Sequence, residues 1–191
     1  VRAFTKPFHE AGIQTHMLDR GLNGLRMYPV PADVRRLMYK VKHAQGVDIT
    51  RIFCGLNEVR NIIPSIRYAL EAGMIPQATL CITFSPVHTV EYYTAIAERL
   101  IEAGAPEICL KDMAGVGRPE MLGRLTKAIK ERHPEIIIQY HGHSGPGLSM
   151  ASILEVCENG ADIIDVAMEP ISWGKVHPDV ISVQAMLKDA G

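Results

Sequence analysis

At 191 residues the chain is long enough for one hydrophobic core and too short for two comfortable domains. Its 47% apolar and 21% charged residues are ordinary for a globular protein, and a net charge of −1 leaves no broad basic field for nucleic acid. No apolar run is long enough to span a bilayer.

The segment 1–12 reads as the tail of a helix closed by Glu10-Ala11-Gly12. The same kind of ending returns in Ala44-Gln45-Gly46, Glu71-Ala72-Gly73, Glu102-Ala103-Gly104, Glu158-Asn159-Gly160 and Asp189-Ala190-Gly191, where glycine can take the left-handed conformation that stops a helix. His133-Pro134 supplies a stop without glycine. The endings recur about every 30 residues, the mark of a repeated supersecondary unit. Short, apolar, largely non-alternating runs over 14–19, 48–54, 78–85, 107–112, 136–141 and 162–167 predict strands buried on both faces. Between them lie amphipathic helices, with Val34, Met38, Val41 and Lys42, then Ile62, Ile66 and Leu70, then Ile96, Leu100 and Ile101 at helical spacing. Pro31, Pro119 and Pro178 stand near helix starts. Alternating strands and helices predict an α/β fold with a parallel sheet. The absence of GxGxxG after an early strand weakens a dinucleotide-binding sheet. Polar residues gather at strand carboxyl ends, where a (β/α)8 barrel keeps its active site. Six units leave two wanting for a closed barrel, so an opening strand or two is expected upstream of Val1.

His141-Gly142-His143 follows the run Ile136-Ile137-Ile138-Gln139-Tyr140. Residues two apart on a strand share a face, so two imidazoles stand side by side at a strand end, half of a metal site. The glycine between them leaves room for a close approach to the backbone. Lys111-Asp112 ends the preceding strand. A lysine there has three chemical readings: a Schiff-base amine, a cation for a carboxylate or phosphate, or a carbamate ligand to a metal. The bland reading is a side chain that reaches solvent. Arg20 heads the loop Arg20-Gly21-Leu22-Asn23-Gly24, where a guanidinium can hold a carboxylate through two parallel hydrogen bonds or form a local ion pair. Ser85 and Thr89 bracket a helix start, with Glu91 in its first turn, and His88 reads as a helix-entry residue. His9, His16, His43, His133 and His177 read as surface or locally bonded side chains. Cys54, Cys81, Cys109 and Cys157 show no CxxC and read as reduced thiols in a reducing compartment rather than a zinc–thiolate cluster.

Leu110-Lys111-Asp112-Met113-Ala114-Gly115, His141-Gly142-His143, Ser85-Pro86-Val87-His88-Thr89 and Arg20-Gly21-Leu22-Asn23-Gly24 together resemble the carboxyltransferase domain of biotin-dependent enzymes. That group includes pyruvate carboxylase, the oxaloacetate decarboxylase alpha subunit and the transcarboxylase subunit that acts on pyruvate. The resemblance implies a (β/α)8 TIM barrel, of which residues 1–191 form a single domain covering strands three to eight and incomplete at the N-terminus. It implies metal-dependent carboxyl transfer between carboxybiotin and a 2-oxo acid (pyruvate or oxaloacetate), as carboxylase, decarboxylase or transcarboxylase. His141 and His143 would bind a divalent metal (zinc, manganese or cobalt), and Lys111 would be a carbamylated, catalytic ligand. Arg20 would grip the substrate carboxylate, with Asn23 beside it. Biotin would arrive on a carrier domain of another domain or subunit, in a cytoplasmic homo-oligomer, with membrane subunits left open. The family's Arg-Asp-x-His-Gln-Ser stretch, which holds a further metal ligand, its threonine near the biotin, its downstream helical region and its biotinyl domain are not in this sequence. Cys54 stands where the family usually has aspartate, Met27 where many members have tyrosine, and Ser144-Gly145-Pro146-Gly147 replaces a hydroxyl-rich stretch. The alternatives are an acyl-CoA condensing enzyme or lyase of the isopropylmalate synthase kind, and a non-catalytic barrel fragment.

Overall fold

The repeated strand–helix units are laid down in chain order. The computed structural model describes residues 1–191, as α1 (Arg2–Glu10), β1 (His16–Arg20), α2 (Ala32–Ala44), β2 (Ile49–Phe53), α3 (Val59–Glu71), β3 (Ile75–Cys81), α4 (Val90–Glu102), β4 (Glu107–Asp112), α5 (Pro119–Arg132), β5 (Ile137–Gly142), α6 (Ser149–Glu158), β6 (Ile163–Ile164) and α7 (Val180–Ala190). The strands form one sheet in the order β1-β2-β3-β4-β5-β6. The pairings are parallel, with His16 opposite Ile49, Ile49 opposite Ile75 and Gln139 opposite Ile163. Parallel neighbours need a crossover, and α2 to α6 each supply one. The six glycines expected to end helices all have positive φ, from 73° at Gly12 to 101° at Gly191. No helix is long and apolar enough to cross a membrane.

The chain divides into two compact units, Val1–Thr79 with Glu98–Ile108, and Leu80–Ala97 with Cys109–Gly191. In the first unit Ile52, Ile62, Ile66, Ala69 and Leu100 are fully buried. The buried face of α2 differs from its apolar spacing: Arg35, Tyr39 and Lys42 are buried, whereas Val34, Leu37 and Val41 are about half-exposed. The cause is polar. Lys42 Nζ lies 2.7 Å from Asp19 Oδ2 and 2.6 Å from Thr50 Oγ1, and Tyr39 donates its hydroxyl to Asp19 Oδ1 at 2.9 Å. A charged, fully bonded cluster has nowhere else to be satisfied, so it fixes the rotation of the helix. On α3 the expected Ile62 and Ile66 are buried, but Leu70 is exposed and Ala69 takes the inner place. A second buried polar chain crosses neighbouring strands, from Arg51 Nε to Gln77 Oε1 (2.6 Å) and from Gln77 Nε2 to Glu107 Oε2 (2.8 Å).

In the second unit Leu122, Leu125 and Ile129 of α5 and Ile153 and Val156 of α6 are buried. Gly123 permits close approach of these helices, because a β-carbon there would sit 2.9 Å from Glu155 Oε2. Strand β4 has the expected bounds of 107–112, whereas β6 shrinks to Ile163–Ile164. The flanking acids explain the shrinkage. Asp162 accepts the Ile138 amide at 2.7 Å and the Lys130 ammonium at 2.8 Å, and Asp165 turns its carboxylate to the His141 ring. Thr89 accepts the Tyr92 amide at the start of α4, and Ser85 Oγ lies 2.7 Å from His88 Nδ1, giving that segment a structural role. All four cysteines are free thiols.

Candidate metal centre

The ends of β4 and β5 bring Lys111, His141 and His143 together. Lys111 is only 4% exposed, so it does not reach solvent. Its Nζ lies 3.2 Å from His141 Nε2, which lies 3.1 Å from His143 Nε2. His141 Nδ1 lies 2.5 Å from Asp165 Oδ2, and Asp165 also accepts from the Gln139 side chain. An ionised carboxylate only accepts, so Nδ1 carries the proton and the lone pair of Nε2 faces Lys111 and His143. A carboxylate behind a histidine is the usual means of orienting a metal ligand.

Backbone contacts fix the two strand ends against each other. The Asp112 carboxylate accepts the Val116 amide at 2.9 Å and the Gly117 amide at 2.8 Å, and its carbonyl accepts the His143 amide at 3.0 Å. Gly115 has φ of 68°, and a β-carbon on it would lie 2.6 Å from the His143 carbonyl oxygen. The Lys-Asp-Met-Ala-Gly phrase therefore serves as a turn that seats His143. Asp112 is a scaffold group here, with burial pushing its carboxyl up against the pull of these amides.

The close approach expected at Gly142 is made by a neighbour. A β-carbon there would lie 2.6 Å from Tyr140 Cε1, and Tyr140 is fully buried. Gly142→Ala is expected to cost about 1–3 kcal/mol of stability through overpacking, read as a lower urea midpoint; an unchanged midpoint would contradict this packing.

A third ring joins the cluster. His177, read from the sequence as one of several scattered surface or locally bonded side chains, lies in the segment between β6 and α7 with its Nδ1 2.9 Å from the Gly142 carbonyl oxygen. Its ring centroid is 4.4 Å from that of His141 and 5.0 Å from that of His143. One nitrogen from each of His141, His143 and His177 lies within 4.8 Å of the others. Nothing in the spacing of His177 from the His-x-His pair signals this, because the convergence is tertiary. Asp165 was likewise read only as part of a strand.

These residues fit a cation. Lone pairs of two imidazoles at 3.1 Å repel unless a proton or a cation lies between them. Ligands on one ion with bonds of about 2.0–2.1 Å stand roughly 3.0–3.4 Å apart when adjacent. Burial, with the His177 ring and the Lys111 amine close by, holds His143 below the ordinary imidazole value of 6.5, which keeps it neutral and able to ligate. The unfolded ring takes a proton near 6.5 while the folded ring resists it. Stability is therefore expected to fall as pH drops below 6.5 toward the folded value. Urea midpoints across that range test this in wild type and in His143→Gln, which should lose part of the slope.

Arg20 and Asn23 stand in the first unit. Their loop is closed by reciprocal backbone bonds between Arg20 and Gly24, both 2.8 Å. The Gly21 carbonyl accepts from Arg35 Nη1 and Ser65 Oγ, each at 2.6 Å. A β-carbon at Gly21 would lie 2.5 Å from the Asn61 carbonyl oxygen, so only glycine fits. Arg20 takes no local acid as partner. Its Nη1 reaches the Arg26 carbonyl oxygen at 3.4 Å, and its guanidinium lies 5.8 Å from the Phe53 ring centroid. Asn23 is half-buried in the same turn.

Known proteins are similar to this chain in sequence and fold. It is 37% identical over 188 residues to a pyruvate carboxylase subunit of Methanocaldococcus jannaschii, covering 98% of this chain and 33% of that protein. It is 34% identical over 192 residues to the methylmalonyl-CoA carboxyltransferase 5S subunit of Propionibacterium freudenreichii, covering 100% of this chain and 38% of that protein. The chain thus spans 33–38% of the length of these relatives. A variant carboxyl transferase domain from Rhizobium etli pyruvate carboxylase, solved with pyruvate, superposes with a TM-score of 0.90 at 31% identity, covering 94% of this chain and 32% of that one. The same domain with pyruvate and biocytin superposes with a TM-score of 0.89 at 31% identity, covering 93% of this chain and 31% of that one. The six-stranded parallel α/β fold is therefore part of a TIM barrel of the carboxyltransferase kind. With the HMGL-like family profile matching residues 54–171, a stretch that includes Lys111, His141 and His143, the chain belongs to the HMGL-like family.

Proposed function

We propose that residues 1–191 form the catalytic barrel domain of a biotin-dependent carboxyltransferase. It moves a carboxyl group between carboxybiotin and a 2-oxo acid of the pyruvate–oxaloacetate kind, as carboxylase, decarboxylase or transcarboxylase according to its partners. The observation that carries this reading is the meeting of Lys111, His141 and His143 at adjacent strand ends. The related domain solved with pyruvate and biocytin supports a small 2-oxo acid and a biotinyl carrier domain as partners. Homo-oligomers in the cytoplasm remain the expected setting.

His141 and His143 hold a divalent cation, zinc, manganese or cobalt, with Lys111 as a further ligand after carbamylation. That step joins the neutral Nζ to the carbon of carbon dioxide and releases one proton, leaving an anionic oxygen donor in place of an ammonium. The bound cation supplies Lewis-acid polarisation of a keto group. Asp165 keeps the His141 proton on Nδ1. Arg20 clamps the substrate carboxylate through two parallel hydrogen bonds and sets its angle of approach, with the Asn23 amide as a second donor.

Exchange of isotopic label between pyruvate and oxaloacetate, followed with and without biotin on the native full chain, tests this function. Biotin-dependent exchange is expected. Acyl-CoA condensation or cleavage without any such exchange would replace this reading with that of a CoA enzyme. Arg20→Ala is expected to raise the pyruvate KM roughly 10–100-fold, the worth of a charge-assisted pair; an unchanged KM would remove Arg20 from the site.

A further inference from the structure

We infer that His177 is a third protein ligand, so that the cation sits among three imidazoles instead of the His-x-His pair alone. This rests on the metal reading above and adds a ligand to it. Two of the rings have one nitrogen held by an acceptor of the protein, His141 by the Asp165 carboxylate at 2.5 Å and His177 by the Gly142 carbonyl at 2.9 Å, and the third, His143, has its Nε2 3.1 Å from His141 Nε2. A carbonyl only accepts, so His177 Nδ1 carries the proton and Nε2 is left with its lone pair. His141 and His177, each anchored on one side, are oriented as metal ligands are when outer partners fix their tautomers, and one nitrogen of each of the three rings lies within 4.8 Å of the others.

The segment that carries His177 is itself held in place. The Ser144 amide donates to the Val176 carbonyl at 2.8 Å, the Trp173 amide to the His177 carbonyl at 2.7 Å, and the Ala167 amide to the Pro178 carbonyl at 2.9 Å. Asp179 accepts the Ile181 amide at 2.9 Å as the N-cap of α7 and the Glu169 amide at 3.0 Å. Trp173 adopts a left-handed φ of 65°, a conformation that persists only where surrounding bonds over-determine it. His177 is thus presented to the pair by a built loop.

The donor set selects the cation. Three neutral imidazoles favour a borderline ion such as zinc or cobalt over magnesium or calcium, which prefer oxygen. They also leave its double charge uncompensated. A carbamate on Lys111, whose Nζ lies 3.2 Å from His141 Nε2, would supply a compensating negative charge. The competing role for His177 is a staple that ties its loop to Gly142 and never touches the ion.

Cobalt(II) titration of the native full chain, followed by visible absorption, separates these roles. His177→Ala is expected to weaken cobalt binding about 100-fold or more, since loss of outer partners alone costs 10–100-fold, and to change the d–d spectrum. His177→Gln, whose amide can still reach the Gly142 carbonyl, should show the same loss if the ring is a ligand. Wild-type affinity and spectrum in the glutamine variant, alongside lost binding in His141→Ala, would overturn the inference and leave the metal reading standing. Failure of wild type itself to bind cobalt or zinc would overturn the metal reading. Zinc-edge X-ray absorption of the unmodified protein tests the same point without any variant: the outer-shell imidazole scattering should fit three rings, and a fit to two would exclude His177.

Discussion

Lys111→Ala is expected to lower turnover of biotin-dependent pyruvate–oxaloacetate exchange by about 1,000-fold or more. Loss of one group acting on a developing charge costs 10²–10³ in rate, and here the same change also removes a ligand. The substitution deletes a side chain that is 4% exposed, so part of any loss could come from packing. Lys111→Met, which fills most of that volume without an amine, isolates the chemistry. Both variants should keep their far-UV circular dichroism and lose exchange together. Growth on labelled bicarbonate should place one carbamate carbon in wild type and none in either variant. Full turnover with full metal content in Lys111→Ala would remove the carbamate role.

Lys42→Met is expected to destabilise the protein by about 3–5 kcal/mol at neutral pH, the cost of leaving a buried charge without its partner. Lys42 and Asp19 are 2.7 Å apart, with side chains only 5% and 0% exposed. Burial raises the Asp19 carboxyl above its ordinary value of 3.8, against the lowering pull of Lys42 and the hydrogen bonds from Thr50 and Tyr39. Removing Lys42 deletes the chief opposing pull, so the folded carboxyl rises further. The folded state then binds a proton that the unfolded state does not, in the window from the raised folded value down to 3.8. Stability of the variant should therefore recover as pH falls through that window. Asp19→Asn combined with Lys42→Met, which removes both charges, should lose less than Lys42→Met alone. Equal urea midpoints for wild type and Lys42→Met at pH 7 would show that the pair does not hold α2 to the sheet.

Sequence patterns carry some of this structure and stop short of the rest. Strand β4 was legible to the residue, because an apolar run with Lys111-Asp112 at its end has only one sensible boundary. The helix stops were legible because positive φ favours glycine, and every predicted stop glycine has it. The rotation of α2 was not legible. Periodicity assigns Val34 and Val41 to the core, but the Asp19–Lys42–Thr50 cluster outweighs them, and its members come from three separate elements. Strand β6 was read too long, because Asp162 and Asp165 look like strand residues until their partners on other elements are known.

The candidate site divides the same way. Local spacing puts His141 and His143 on one face, and parallel strand order puts Lys111 beside them, so those three could be grouped from the chain alone. Asp165 and His177 could not. Each enters by a contact across more than 20 residues, and neither sits in a phrase that announces chemistry. The glycine between the histidines was seen as room for something to approach, but only coordinates identify the Tyr140 ring as the group that fills it.

The most direct test strips the metal from the native full chain with a chelator and then restores it, while label exchange between pyruvate and oxaloacetate is followed in the presence of biotin. Exchange should disappear on stripping and return on addition of zinc, manganese or cobalt. Exchange that continues at full rate with no metal bound would contradict a cation held by His141 and His143.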